Sequence, residues 1–554
     1  MRKLIIRLRA AGSRIGQPTW TLCRPAAPVR VASQPASLAS PRAETGLKHF
    51  EHRRVTPTLT AHLARRRRAA IAVAAAAAAL LAGASPAAAQ AADARAAFTG
   101  AWGKAIEVPG IAALNTGGNA AVQSVSCTSA GNCSAGGYYT PADGSPPAQV
   151  FVASEVHGIW GAAEEIPGMP ALNKGGQAQV NAVSCASAGN CSAVGFYKDS
   201  SGHGQAFVVN QVNGTWDKAR EVLGSGALDP GESFLSAVSC ASPGNCSAGG
   251  TWNQGPAGGF AQQAFVISEV HGAWGKAREV PGTGAPNTGE NATVQSVSCT
   301  SAGNCSAGGW YTQSNGNQQA FVVTQTHGAW GKAEEVPGTA ALNQTGYAQV
   351  NSVSCASAGN CSAGGEYNDS SDRGQAFVVT QTHGAWGKAE EVPGTGVLNQ
   401  GGGGGVNGAF VTSVSCAAAG TCSAGGNYKD SSGHFQAFVA SQVHGIWGKA
   451  AEVPGTAALN TAGGGLTAVS CSSAASCAAG GNYTDTSGHG QVFVADQVNG
   501  IWGKAKEVPG TAALNVGGFA EMLAVSCAPA GTCAAGGFYA AGGTGLQAFV
   551  VSKA

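Results

Sequence analysis

Residues 348–399 read AQVNSVSCASAGNCSAGGEYNDSSDRGQAFVVTQTHGAWGKAEEVPGTGVLN. Val350–Cys355 alternates apolar and small polar residues and ends at a cysteine. A second run starts at the partner cysteine, Cys361, and reaches Tyr367, so the two predict a hairpin. Gln375–Val379 (QAFVV) is aromatic and β-branched with no breaker inside, a third strand. It leads into His383-Gly384, a pair that accepts the positive φ values of a type I′ turn. WGKAEEV is then expected to run straight back as a fourth strand until Pro393-Gly394, which suits an edge because proline leaves a ladder position unpaired.

The same unit recurs along the chain. Trp102, Trp160, Trp216, Trp274, Trp330, Trp386, Trp447 and Trp502 fall at intervals of 55 to 61 residues. The turn pair recurs as His157-Gly158, Asn213-Gly214, His271-Gly272, His327-Gly328, His444-Gly445 and Asn499-Gly500. Cysteines repeat in step as C-x5-C: Cys127/Cys133, Cys185/Cys191, Cys240/Cys246, Cys299/Cys305, Cys355/Cys361, Cys416/Cys422, Cys471/Cys477 and Cys527/Cys533. A four-stranded meander of this size cannot bury both faces alone, and radial stacking of such sheets is the usual solution. The last unit stops at its third strand (Gln547–Val551), whereas Phe98–Gly110 (FTGAWGKAIEVPG) is a fourth strand without the other three. The expectation is therefore all-β: an eight-bladed β-propeller of four-stranded antiparallel blades, repeating every 57 residues or so and closed by the N-terminal strand around Trp102. A β-solenoid or two separate sheets is the alternative.

Composition agrees. Glycine supplies 84 of 554 residues, about twice the usual density, and only 11% of residues are charged. A net charge of +2, a pI near 7.8 and a mean hydropathy of +0.01 exclude a self-repelling disordered chain and give no nucleic-acid footprint. Arg65–Arg68, the apolar run of residues 69–84 and the small residues after it have the three parts of a secretory signal, with cleavage expected after Ala89 or Ala91. The run is too short for a stable membrane span. The expected division is a disordered or mis-called extension over 1–60, a signal peptide over 61–91, and the propeller over 92–554. Translation starting near Val55 would give the signal a normal N-terminus. Cys23 would leave with the leader, so sixteen of the seventeen cysteines remain, an even number.

C-x5-C across a hairpin suits a local disulfide, each worth about 2.4 kcal/mol in the chain-entropy model before native strain is subtracted. Zinc ligation is the competing reading, but its usual spacings are shorter and no second pair lies close in sequence. With a secretory signal, disulfides and a secreted, extracellular protein are expected.

The repeat region, about 455 residues, resembles the secreted cysteine-stapled β-propellers of bacteria and, more distantly, the kelch/galactose-oxidase-like and sialidase Asp-box propellers. Gly308-Gly309-Trp310-Tyr311 looks like the kelch double glycine, with a different spacing to the tryptophan. Ser154–Trp160 (SEVHGIW) looks like an Asp-box, but Val156 stands where that box has its aspartate. Copper chemistry of the galactose-oxidase type is put in doubt because every mature cysteine already has a partner.

One face should collect the loops between second and third strands together with the LNxGG segments around Asn115, Asn173, Asn343, Asn460 and Asn515. The stapled and His-Gly turns should occupy the other. Asp199, Asp369, Asp430 and Asp485, with His203, Arg373, His434 and His489, are candidate contacts to a glycan or other extended ligand, where several weak sites add avidity. The structural reading is that D-S-S-G simply makes a good turn. Calcium lacks the alternating carboxylates of a dedicated loop. After the double glycine one column is aromatic in every unit, from Tyr139 to Tyr539. Its neighbour varies, and Tyr138, Phe196, Trp310 and Phe538 in it are candidates for sugar stacking. Blade three departs most, at Asn253–Gln263. The lysine and glutamate of W-G-K-A-x-E read as a solvated outer edge.

No non-repeated nucleophile, paired carboxylates or metal triad stands out. A non-enzymatic binding, adhesive or surface-structural protein follows, monomeric and without cofactor or metal, whose partner is a glycan or a protein. A carbohydrate-active enzyme, glycosidase or lyase, with a site assembled across blades is the alternative.

Overall fold

The computed structural model describes residues 100–553 apart from 142–147, 223, 225–231, 255–260, 285–290, 404–406 and 544. The expectations for the leader, Cys23 included, lie outside the described residues. So does the middle of the blade-three loop.

Blades are numbered 1 to 8 from Cys127/Cys133 to Cys527/Cys533. Blade 5 comprises Ala348–Ser357, Asn360–Asn368, Gly374–Thr382, Ala385–Trp386 and Glu390–Glu391, all antiparallel. Seven blades share this pattern. In blade 8 the outer strand is Ile106–Glu107, which pairs with Leu546–Lys553 through Ile106↔Val550 and Glu107↔Phe549. The N-terminal strand thus closes the ring, as the unpaired ends of the repeat implied.

The fourth strand is not continuous. It pairs with the third through two residues, leaves, and returns for two more, as at Ile159–Trp160 and Glu164–Glu165. Between them the alanine of W-G-x-A turns its amide to the preceding blade. Ala163 donates to the Pro109 carbonyl at 2.7 Å, Ala389 to Pro337 at 2.7 Å and Ala105 to Pro509 at 2.7 Å. A sheet edge that would otherwise stay open is used to hold neighbouring blades.

Two further circles of bonds lie inside this one. At the inner wall the first cysteine of every blade donates its amide to the serine hydroxyl before the cysteine of the preceding blade, from Cys185→Ser126 to Cys527→Ser470, closing with Cys127→Ser526, all at 2.9–3.0 Å. At mid-radius a buried glutamine of the third strand donates to a serine or threonine of the preceding blade, as in Gln211→Ser154 (3.0 Å) and Gln442→Thr380 (2.7 Å). Three seams use other chemistry: Ser552 donates to Glu155 at 2.6 Å, Asn210 to Glu269, and Lys553 pairs with Asp496 at 2.8 Å.

Each C-x5-C forms a disulfide, with Cα atoms 3.9–4.0 Å apart. The cysteines stand directly opposite in the ladder. Because the first cysteine's amide points to the preceding blade, they form a non-hydrogen-bonded pair, the closer of the two antiparallel geometries. This separation is shorter than the commonest disulfide span.

The staples form as the spacing implied, and they also contribute to the packing between blades. The second cysteine of every pair is buried: Cys133, Cys191, Cys246, Cys305, Cys361, Cys422, Cys477 and Cys533. Each sits on the second strand, which the first and third cover on either side, and its side chain joins the core shared with the preceding blade. Cys305 belongs with Ala264 and Val266 of blade 3, Cys422 with Ala376 and Val378 of blade 5, and Cys477 with Ala437 and Val439 of blade 6. The hydroxyls of Ser362 and Ser423, each one blade back, lie 3.4 and 3.5 Å from the Sγ atoms of Cys422 and Cys477. Half of each disulfide is therefore packing material between blades.

The double glycine has a steric cause. A Cβ on Gly137 would lie 1.9 Å from the Ala121 carbonyl oxygen, and one on Gly136 would meet Val180 and Val183 of blade 2 at 2.8 Å. Phe151, Phe207, Phe321 and their equivalents fill the space between blades. T-A-A-L and its variants form single helical turns, such as Thr339–Leu342, before the chain passes to the next blade.

Candidate functional site

The two faces are divided as expected. Gly175 bonds the Lys198 carbonyl and Gly117 that of Thr140, which joins LNxGG segments to the loops after the second strands. On the opposite face Gly158 bonds Gly131 and Gly328 bonds Gly303, locking each His-Gly turn to a stapled turn. The asparagines of LNxGG are consumed internally: Asn115 Nδ2 donates to the Leu546 carbonyl at 2.8 Å and to Gln547 Oε1 at 2.9 Å.

The four loop aspartates share one arrangement. Asp430 Oδ1 accepts from the Ser432 and His434 amides at 2.8 and 3.0 Å, and Oδ2 from Gln436 Nε2 at 2.9 Å. Asp199, Asp369 and Asp485 do the same, with the amides of His203, Arg373 and His489 in the second position. Partial burial pulls their pKa values upward, but these hydrogen bonds outweigh it and hold the carboxyls below their usual range. Each carboxylate therefore organises its own turn. The Arg373 side chain is exposed, and the His489 imidazole lies 3.9 Å from Asp485.

The uniform aromatic column packs between blades, and its hydroxyls correct the expectation for the outer glutamates. Tyr197 donates to Glu221 at 2.9 Å, Tyr311 to Glu335 at 3.0 Å and Tyr539 to Glu107 at 2.6 Å. These glutamates are not merely solvated charges; they hold the second strand to the fourth across the third.

The variable column is different. It lies at the end of the inner wall nearest the loop face, and some of its side chains, such as Asn427 toward Leu466 of blade 7, reach the inner strand of the next blade. Phe196 meets Phe234 of blade 3 edge-on at 5.0 Å, and Thr251 Oγ1 donates to the Ala292 carbonyl of blade 4 at 3.0 Å. Phe538 lies 5.6 Å from Phe519 of its own blade. Tyr138 and Trp310 are half-buried at the same level. The ring contacts of Phe538 and Phe196 are thus with Phe519 and Phe234. Burial, and secondarily the Glu521 carboxylate, raise the Tyr138 pKa.

In blade 5 this column carries Glu366, 1% exposed, within a belt of amides. Gln349 Nε2 donates to Glu366 Oε1 at 2.7 Å, while Gln295 and Gln318 of blade 4 donate to Gln349 Oε1 at 3.1 and 3.2 Å. Glu366 Oε2 has no hydrogen-bond partner. Burial pushes the Glu366 pKa up to about 7 against the opposing bonds from Gln349 and Asn351. Asn351 sits where the inner strand bulges, and its Nδ2 also donates to the Val411 carbonyl of blade 6 at 2.9 Å. Sequence reading passed over Glu366, Gln349, Gln295 and Phe234. The signal available was an ionisable residue in a column otherwise aromatic, hydroxyl or amide.

No family model matches the chain, and no curated protein matches it. Among solved structures it is similar to a Dyadobacter fermentans protein of unknown function, at 11% identity and a TM-score of 0.37 over 82% of this chain and 98% of that one. It is also similar to the β-propeller domain of the Trilobed protease from Pyrococcus furiosus (5%, 0.39, 70% and 97%). A Hadza microbial sialidase gives 11%, 0.32, 64% and 73%. These likenesses are too slight to say anything of function.

Proposed function

We propose that this is a secreted, non-enzymatic binding protein that takes a glycan at the loop-face mouth of its ring. The observation that carries the reading is the variable column. Eight copies agree almost everywhere else, yet here aromatic side chains stand on blades 8, 1, 2 and 4 (Phe538, Tyr138, Phe196, Trp310), a hydroxyl on blade 3 (Thr251), a carboxylate on blade 5 (Glu366) and amides on blades 6 and 7 (Asn427, Asn482). Aromatic faces and forked amide or carboxylate groups are what a sugar's apolar faces and hydroxyls require. Asp199, Asp369, Asp430 and Asp485 shape the surrounding rim, from which Arg373, His203, His434 and His489 supply outer contacts. Eight disulfides fit an oxidising compartment, in line with secretion and with the cysteine-stapled propellers of bacteria.

A carbohydrate-active enzyme is the second reading, and Glu366 is its one support, since a carboxyl titrating near 7 suits a general acid. Its hydrogen-bonded neighbours are amides rather than a second carboxylate. Screening the purified protein on a glycan array tests both. Binding without turnover that is lost in Trp310→Ala and Tyr138→Ala supports the proposal; a blank array beside a tight protein partner, or release of cleaved sugar, overturns it.

A further inference from the structure

A cavity of about 270 Å³ lies at the seam between blades 2 and 3, beside the stapled and His-Gly turns of blade 3. The repeat breaks there several times over. Asp217 stands where every other blade has glycine, Pro243 where the others have alanine, and Asn210 is the only amide in its column. All three line the cavity, together with Glu269, which replaces the glutamine found at its position in five blades.

Exchanging glutamine for glutamate removes a donor. In those five blades the glutamine Nε2 serves a hydroxyl of the preceding blade and the carbonyl of its own turn glycine, as Gln325 does with Ser268 at 3.0 Å and Gly328 at 3.3 Å. Glu269 has no amide hydrogens to give. Ser192 Oγ and Trp274 Nε1 both donate to Asn210 Oδ1 at 3.0 Å, which turns the Asn210 Nδ2 onto Glu269 Oε1. The Gly272 carbonyl, which also lines the cavity, is left without the side-chain donor of its counterparts, and Glu269 Oε2 is buried with no hydrogen-bond partner. The amide oxygens of Gln211 and Gln381 are bare too, but they are neutral. Glu269 is a carboxylate only 3% exposed, and an unpaired charge costs far more to bury than an unpaired amide.

Glu155, the other glutamate in this column, has cations nearby, because Lys104 and Lys553 line the cavity beside it. No lysine or arginine lines the cavity of Glu269. Among the described residues no three histidine, cysteine, aspartate or glutamate side chains converge to hold a metal ion. The recess therefore holds a surplus of acceptors, two carboxylates and a carbonyl, and an ammonium group brings positive charge with three donors and no acceptor.

We infer that this cavity binds a small primary ammonium ion, its N–H groups donated to Glu269 and the Gly272 carbonyl and its charge balanced by Glu269 and Asp217. Burial raises the Glu269 pKa against the bond from Asn210, and the bound cation would hold the carboxyl ionised.

The test is calorimetric titration of the full chain with n-butylammonium. It is compared with n-butanol, which has the stem without the charge, tetramethylammonium, which has the charge without N–H donors, and calcium. Saturable one-site binding of n-butylammonium is expected, with the other three at least tenfold weaker. Glu269→Gln installs the residue most blades use and should weaken binding at least tenfold, Asp217→Gly severalfold, while Glu155→Gln at the other seam should leave it unchanged. Unaltered binding in Glu269→Gln overturns the inference, as do equal binding of tetramethylammonium, calcium bound in place of the amine, or no saturable binding to the parent. Near-ultraviolet circular dichroism matching that of the parent confirms that the variants are folded.

Discussion

The amide of Cys127, in the first blade, donates to the hydroxyl of Ser526, in the last, at 2.9 Å. Although 399 residues apart in sequence, the two make the same bond that joins every other pair of neighbours. Ser526→Ala would leave the half-buried amide without that partner and cost about 1–2 kcal/mol. Urea unfolding should show a lower midpoint at unchanged m-value, whereas an unchanged midpoint would remove the inner circle from the account of stability.

Lys553 and Asp496 replace the glutamine and serine used at most seams. Asp496→Ser alone removes the carboxylate facing a buried ammonium and should cost roughly 1–3 kcal/mol, less than for a fully buried pair because Asp496 is partly exposed. Lys553→Gln alone should also destabilise. Together they restore the common pair, so the double variant should recover much of the loss. Simple additivity in chemical denaturation would show the two positions uncoupled.

Glu366 gives stability a pH dependence of known sign. Its folded pKa, about 7, lies above the ordinary 4.5, so the folded state keeps a proton that the unfolded chain releases first. Its contribution is full below about pH 4.5, declines through pH 7, and changes little above, a fall on the order of 3 kcal/mol. Glu366→Gln should flatten this part of the profile. Urea midpoints at pH 5 and pH 8 for both proteins decide it, and parallel profiles would count against the assignment.

The loop aspartates act in the opposite sense. Their lowered pKa values mean stability present above the ordinary carboxylate range and lost on acidification. Asp430→Asn should make the loop of blade 6 more accessible to hydrogen exchange at neutral pH without altering neighbouring blades. Unchanged exchange at Ser432 and His434 would contradict the turn-forming role.

Peptide mapping without reduction should return eight C-x5-C linkages, since each pair stands face to face within one hairpin. Any bridge between blades would be incompatible with the ring.

Much of this was legible in the repeat because repetition exposes what packing demands. Eight evenly spaced tryptophans and cysteine pairs marked out the blades, and the stray Trp102 strand implied the closure. Bonds between blades were hidden: nothing in W-G-K-A tells a reader that the alanine amide turns to the proline carbonyl of the preceding blade. Burial of Cys305, Cys422 and Cys477 was hidden for the same reason, since C-x5-C reports the hairpin and not what the next blade lays over it. The outer glutamate looked solvated because its partner, a tyrosine 24 residues earlier, lies across an intervening strand. Glu366 was visible as an odd letter in a column, but its significance depends on burial that only the assembled seam reveals.

Closure through blade 8 also fixes how the molecule answers to force. Its outer strand runs antiparallel to the last strand, with Trp102 beside Lys553, so the first and last described residues meet at the same corner of one sheet. Tension between them would load the ladder one bond at a time, as a zipper opens, instead of shearing it all at once.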